Sequence, residues 1–131
     1  MLAQTIIDSL KFTCEVAPEQ KDLFTASHVL YRCVIMNPAN RRRFTFSYQC
    51  NPANTEPSAK DCLYCLFMDA SSYDCAIDID DFLKEFGYTD SLESVRKGEK
   101  AYNACKRTAA AIDRLFTTEE KEALDEYFQE Y

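Results

Sequence analysis

Beyond a short N-terminal helical segment, the hydrophobic period of this chain changes once, at Pro57, and that change limits what it can fold into. Before it, apolar side chains recur at every second position; after it, they recur every three or four. Over residues 27–36, Val29, Tyr31, Cys33 and Ile35 fall on one face of a strand, with His28, Leu30, Arg32 and Val34 on the other. Asn37-Pro38-Ala39-Asn40 is turn chemistry. From Arg43 to Cys50 the alternation resumes, with Phe44, Phe46, Tyr48 and Cys50 inward and Thr45, Ser47 and Gln49 outward. The expectation is an antiparallel hairpin with one apolar face and Arg41, Arg42 and Arg43 at its tip. Phe12 to Val16 alternates more weakly and marks a possible edge strand. Residues 3–11, with Ile6, Ile7 and Leu10 apolar, predict a first short helix, and residues 17–26 a polar connection.

Beyond the loop Asn51 to Pro57, helix starts are written explicitly. Ser58-x-x-Asp61 is a capping pattern before a helix with Leu63, Leu66, Phe67 and Ala70 on one side. Asp78-x-x-Asp81 opens a short helix with Ile79, Phe82, Leu83 and Phe86 apolar, closed by Gly87. Asp90-x-x-Glu93 opens a long one whose stripe runs Val95, Gly98, Tyr102, Cys105, Ala109, Ile112 and Phe116. Gly98 on that stripe predicts a close approach by another backbone. Thr117-x-x-Glu120 opens a terminal helix with Leu124, Tyr127, Phe128 and Tyr131 as its face. A small antiparallel sheet followed by a bundle of about four helices is an α+β fold. At 131 residues the expectation is one domain, residues 1–56 supplying a helix and the sheet, and 57–131 an acidic helical part.

Charge divides at the same place. Residues 1–58 carry 6 Lys/Arg and 5 Asp/Glu, whereas residues 59–131 carry 9 and 17. A net charge of −7 disfavours direct contact with phosphates and favours a basic partner. No apolar run approaches the ~20 residues of a membrane span, and the amphipathic N-terminus is unlike a signal peptide. A soluble, cytoplasmic protein follows, inside a reducing compartment. The seven cysteines then read as thiols, mostly small buried hydrophobes, rather than as a disulfide framework.

Residues 27–116 carry a series of local patterns: His28-Val-Leu-Tyr31, Phe44-Thr-Phe46, Pro57-Ser58-Ala-Lys-Asp61-Cys-Leu63 and Asp69-Ala70-Ser71. They continue as Asp81-Phe82-Leu-Lys-Glu85-Phe86-Gly87-Tyr88, Asp90-Ser91 and Tyr102-Asn-Ala104-Cys105. In this series the chain resembles a broad group of small phage and prophage accessory proteins. It departs from them at Thr89 to Arg96, where it has an extra turn before the long helix. The resemblance implies the fold and a mobile-element origin. Small acidic phage proteins of this size resemble inhibitors of host defence, anti-CRISPR proteins included.

Several constellations could carry chemistry. Cys62-x-x-Cys65 has zinc-ligand spacing but would need two further ligands from Cys50, Cys75 or His28. Buried thiols on one helix face are the plainer reading. His28, the sole histidine, lacks a marked nucleophile, so no catalytic residues are assigned and the expectation is a protein that is not an enzyme. Asp78, Asp80 and Asp81 fit no EF-hand frame and read as acids at a helix N-terminus. No metal and no cofactor is expected. The Arg41–Arg43 tip could hold an acidic surface or nucleic acid, or simply keep a turn solvated.

The carboxylates remain as the candidate partner-binding set: Asp74, Asp78, Asp80, Asp81 and Glu85, with Glu119, Glu120, Glu122, Asp125 and Glu126. Carboxylates at helical intervals suit a Lys/Arg groove built for phosphates. The leading expectation is therefore an inhibitor, encoded by a phage or mobile element, that binds a host nucleic-acid-handling defence complex such as a CRISPR effector. The alternative is a small regulatory or zinc-stabilised nucleic-acid-associated module using Cys62/Cys65 and the Arg41–Arg43 tip.

Overall fold

In the computed structural model, residues 2–18, 28–50 and 57–131 are described. The elements are α1 (Leu2–Ser9), β1 (Lys11–Val16), β2 (Val29–Asn37), β3 (Arg42–Cys50), α2 (Ala59–Cys75), α3 (Ile79–Glu85), α4 (Leu92–Leu115) and α5 (Thr118–Gln129). The fold is α+β, with a three-stranded antiparallel sheet and five helices among the described residues. The sheet order is β1-β2-β3, so the possible edge strand at Phe12–Val16 is present as β1, beginning at Lys11 because α1 ends at Ser9. The expected polar connection over 17–26 and the loop from Asn51 lie largely outside the described residues.

The chain divides into two compact units, one of Met1–Leu63 with Leu115–Tyr131 and one of Tyr64–Arg114. This division does not follow the charge break at Pro57, because the acidic helix α5 belongs with the sheet.

In the first unit the register pairs Cys14 with Cys33 and Cys33 with Phe46, placing all three on one sheet face. That face holds buried Val29, Cys33 and Ile35, with Phe44, Phe46 and Tyr48 half-buried. The period-2 pattern is thus a real buried face. The first turn of α2 covers part of it, since the buried Cys62 thiol hydrogen-bonds the Cys33 sulfur. Ser58 opens α2 by accepting from the Asp61 N–H at 3.1 Å. Helix α5 begins with a full capping box between Thr117 and Glu120. Its inner side buries Leu124 and Phe128, and α5 packs on α1, whose Ala3, Ile6 and Ile7 are buried. The far end of α5 is tied down by Tyr131, whose hydroxyl donates to Asp61 at 2.7 Å. The Lys60 ammonium lies 5.2 Å and 4.9 Å from the Tyr127 and Tyr131 ring centres.

The second unit is built on the α3–α4 corner. Gly87, at φ 76°, ends α3 in a Schellman arrangement. Its N–H reaches the Lys84 carbonyl at 3.4 Å, and the Tyr88 N–H reaches that of Leu83 at 2.8 Å. This turn swings Tyr88 onto α4 at Gly98. A β-carbon at Gly98 would sit 2.6 Å from Tyr88 Cβ and collide with Leu83 Cδ2. The close approach expected at Gly98 is real, but side chains rather than a backbone make it. The α4 stripe is also real: Gly98, Cys105, Ala109 and Ile112 are buried. One cap differs by a residue. Ser91, not Asp90, opens α4, its hydroxyl accepting from the Ser94 N–H at 3.1 Å. A Ser one position nearer the apolar stripe reaches the first orphan N–H groups, and Asp90 then lies outside the helix.

Candidate functional site

Acids and exposed apolar side chains converge at one place in the second unit. The last turns of α2 and the helix α3 enclose a groove of about 330 Å³. Met68, Ser72 and Cys75 line its α2 side, and Asp81, Glu85 and Phe86 its α3 side. Met68 and Phe86 are 52% and 46% exposed. Ile77, which leads into α3, is 90% exposed.

Local rules explain part of this. Asp78 is the N-cap of α3 and accepts from the Asp81 N–H at 2.8 Å. The Asp81 carboxylate in turn accepts from the Ile77 N–H at 2.9 Å. An apolar residue just before an N-cap commonly packs on the fourth helical residue, here Phe82. Phe82 is instead buried against other rings, with Tyr102 at 5.3 Å and Phe86 at 4.7 Å, while Ile77 stays in solvent.

The charged side chains that line the groove are both acidic. Its α2 wall is the C-terminal end of that helix, where unpaired carbonyls carry partial negative charge. No basic residue stands in the last turn of α2 to offset it, and exposed Asp74 adds to it. Asp81 and Glu85, one helical turn apart on α3, supply the opposite rim. A cationic side chain with an aliphatic stem matches this arrangement: its stem lies on Met68 and Phe86, and its charge meets the carboxylates.

The expected partner-binding residues therefore separate by role. Asp81 and Glu85 line the groove, and Asp74, Asp78 and Asp80 are exposed beside it in sequence, Asp78 serving also as a cap. Glu119, Glu120, Glu122, Asp125 and Glu126 lie on α5, in the other unit. Glu120 is committed to the capping box, its carboxylate accepting from the Thr117 N–H at 2.9 Å. Glu119, Glu122 and Glu126 are exposed and share one side of α5, opposite Leu124 and Phe128. Glu126 and Glu130 also edge a smaller groove of about 170 Å³, floored by Leu2, Ala3, Ala123 and Tyr127.

Arg41, Arg42 and Arg43 are all exposed at the β2–β3 turn, where Arg41 adopts φ 61°. Cys62 is buried and Cys65 half-buried. His28 is exposed. Among the described residues, no three His, Cys, Asp or Glu side chains are grouped to hold a metal. No helix among them is long and apolar enough to cross a membrane.

The sequence reading missed Met68, Ile77 and Phe86. The only local signal was the absence of a base in the last turn of α2. Phe86 counted there as an inward residue, because periodicity cannot show that a seven-residue helix leaves its last ring at the surface. No family model, curated protein or solved structure matches this chain.

Proposed function

We propose that the protein works by binding, seating a Lys- or Arg-bearing segment of a protein partner in the α2–α3 groove. The groove itself carries this reading: an acidic rim at the negative end of α2, with exposed Met68 and Phe86 lining it. Exposed apolar side chains beside carboxylates are the composition of a docking surface for basic protein rather than for nucleic acid. Taken with the resemblance to small phage accessory proteins, the protein is an inhibitor that occupies the basic groove of a host nucleic-acid-handling defence complex, in the manner of an anti-CRISPR protein.

The experiment compares two charge variants in one assay of binding to, and inhibition of, a purified CRISPR effector. Asp78→Asn, Asp80→Asn, Asp81→Asn and Glu85→Gln together remove four charges while Asn keeps the cap. Binding should fall roughly tenfold or more at 0.1 M salt, and the difference should shrink as salt rises. Reversing Arg41, Arg42 and Arg43 to Glu should change little. An acidic variant that binds like the unmodified protein, beside an arginine variant that does not, would overturn the proposal in favour of the nucleic-acid-associated module.

A further inference from the structure

The sheet and the first turn of α2 bring three thiols, Cys14, Cys33 and Cys62, together from distant parts of the sequence. Cys14 on β1 stands directly opposite Cys33 on β2. The kind of pair follows from the ladder. The Ala17 N–H donates to the Leu30 carbonyl at 2.9 Å, so the pair 17/30 is hydrogen-bonded. Antiparallel pairs alternate, so 15/32 and 13/34 are hydrogen-bonded and 14/33 is not. At a non-hydrogen-bonded position the facing α-carbons are about 4.5 Å apart and the side chains are at their closest. That separation lies within the range a disulfide spans. Both side chains point to the same sheet face, and the Cys62 thiol is a hydrogen-bond partner of Cys33.

We infer that Cys14 and Cys33 form a thiol–disulfide exchange site, which a low-molecular-weight disulfide such as oxidised glutathione converts to a cross-strand disulfide. The order of events follows from access. Cys33 is fully buried, whereas Cys14 is half-exposed on the edge strand. The Cys14 thiolate attacks the small disulfide, forming a protein–glutathione mixed disulfide and releasing one glutathione thiolate. Cys33 then loses its proton to solvent and attacks the Cys14 sulfur, releasing the second glutathione. Two protein thiols are oxidised and one glutathione disulfide is reduced to two thiols, which balances electrons and atoms. Burial holds the Cys33 proton up to about 11, so the second step is slow at neutral pH and quickens in alkali.

The bond would tie β1 to its one sheet neighbour. Oxidation then acts as a latch on β1, the shorter of the two edge strands.

The test incubates the full chain with oxidised glutathione and maps disulfides by mass spectrometry of non-reduced peptides. The expected result is loss of two titratable thiols and a Cys14–Cys33 linked peptide. Slowed amide exchange over residues 11–16, reversed by reductant, should accompany it. Cys14→Ser should abolish the link, and Cys75→Ser, at an exposed position, should leave it intact. Glutathione adducts at Cys75 alone, or a Cys33–Cys62 link in place of Cys14–Cys33, would overturn the inference.

Discussion

The side-chain amide of Asn37 donates a 2.7 Å hydrogen bond to the backbone carbonyl of Leu115, 78 residues away. Leu115 is the last residue of α4, so its carbonyl has no partner within the helix. The hairpin turn caps that helix from outside. Asn40 donates to the same oxygen at 3.1 Å, and the Asn37 side-chain oxygen accepts from the Ala39 N–H, so one amide orders both turn and helix end.

Asn37 is 4% exposed, so its loss should be felt. Asn37→Ala should destabilise the protein by about 1–3 kcal/mol, because a buried carbonyl loses its nearer donor. Asn37→Asp should cost more: its carboxylate cannot donate and sits against the carbonyl. Urea unfolding of the two variants checks the ranking, and an Asp variant as stable as the Ala variant would contradict it.

The α4 stripe gives a sharper test. Ile112 is 3% exposed, and Ile112→Asp places an unpaired charge among apolar side chains. A loss of about 4 kcal/mol or more is expected, enough to unfold a marginal protein. A thermal transition like that of the unmodified chain would show that the stripe is not buried in solution.

The two glycines should answer differently to alanine. At Gly98 the new methyl meets Leu83 and Tyr88, so a loss of about 1–3 kcal/mol is expected from overpacking. At Gly87 nothing lies within 4 Å of the new atom, and the cost is backbone strain at φ 76°, about 1 kcal/mol. Trimming Leu83 to Ala, which removes the colliding Cδ2, should partly rescue Gly98→Ala and leave Gly87→Ala unrescued, which a double-mutant cycle would read directly.

Alkali should weaken the fold through its buried thiols. Burial, as the largest cause, pushes Cys33 and Cys105 from 9.0 to about 11. Cys14 reinforces the shift at Cys33 and Cys62 opposes it, while Asp69 reinforces that at Cys105. The unfolded chain releases these protons near pH 9, whereas the folded chain holds them until about pH 11. The unfolded state then binds fewer protons, so stability falls as pH rises through that window. Cys33→Ala with Cys105→Ala should be less stable at pH 8 but lose less between pH 9 and 11. Equal slopes for variant and unmodified protein would show that other groups set the alkaline limit.

How far the sequence reaches can be judged from particular residues. The strand faces of β2 and β3, the turn after Asn37, the capping box at Thr117, the Asp78 cap and the Gly87 stop all follow from patterns within about four residues. The groove at α3 was half-legible. Asp81 and Glu85 stood out as acids, but their company with Met68 and Phe86 required the angle at which α2 meets α3. The exposure of Ile77 ran against the usual staple, because the rings of Tyr102 and Phe86 already occupy the neighbourhood of Phe82.

By itself the sequence determined the elements and their buried faces, since a strand's alternation and a helix's caps are satisfied between near neighbours whatever the rest of the chain does. Only the tertiary structure decided the company those elements keep. It set α5 with the sheet rather than with the other acidic helix α3, and it brought Asn37 to Leu115 and Cys14, Cys33 and Cys62 to one sheet face. These meetings depend on closing loops of tens of residues and on which apolar faces fit together, a sum over many weak contacts that leaves no mark in any short stretch of sequence.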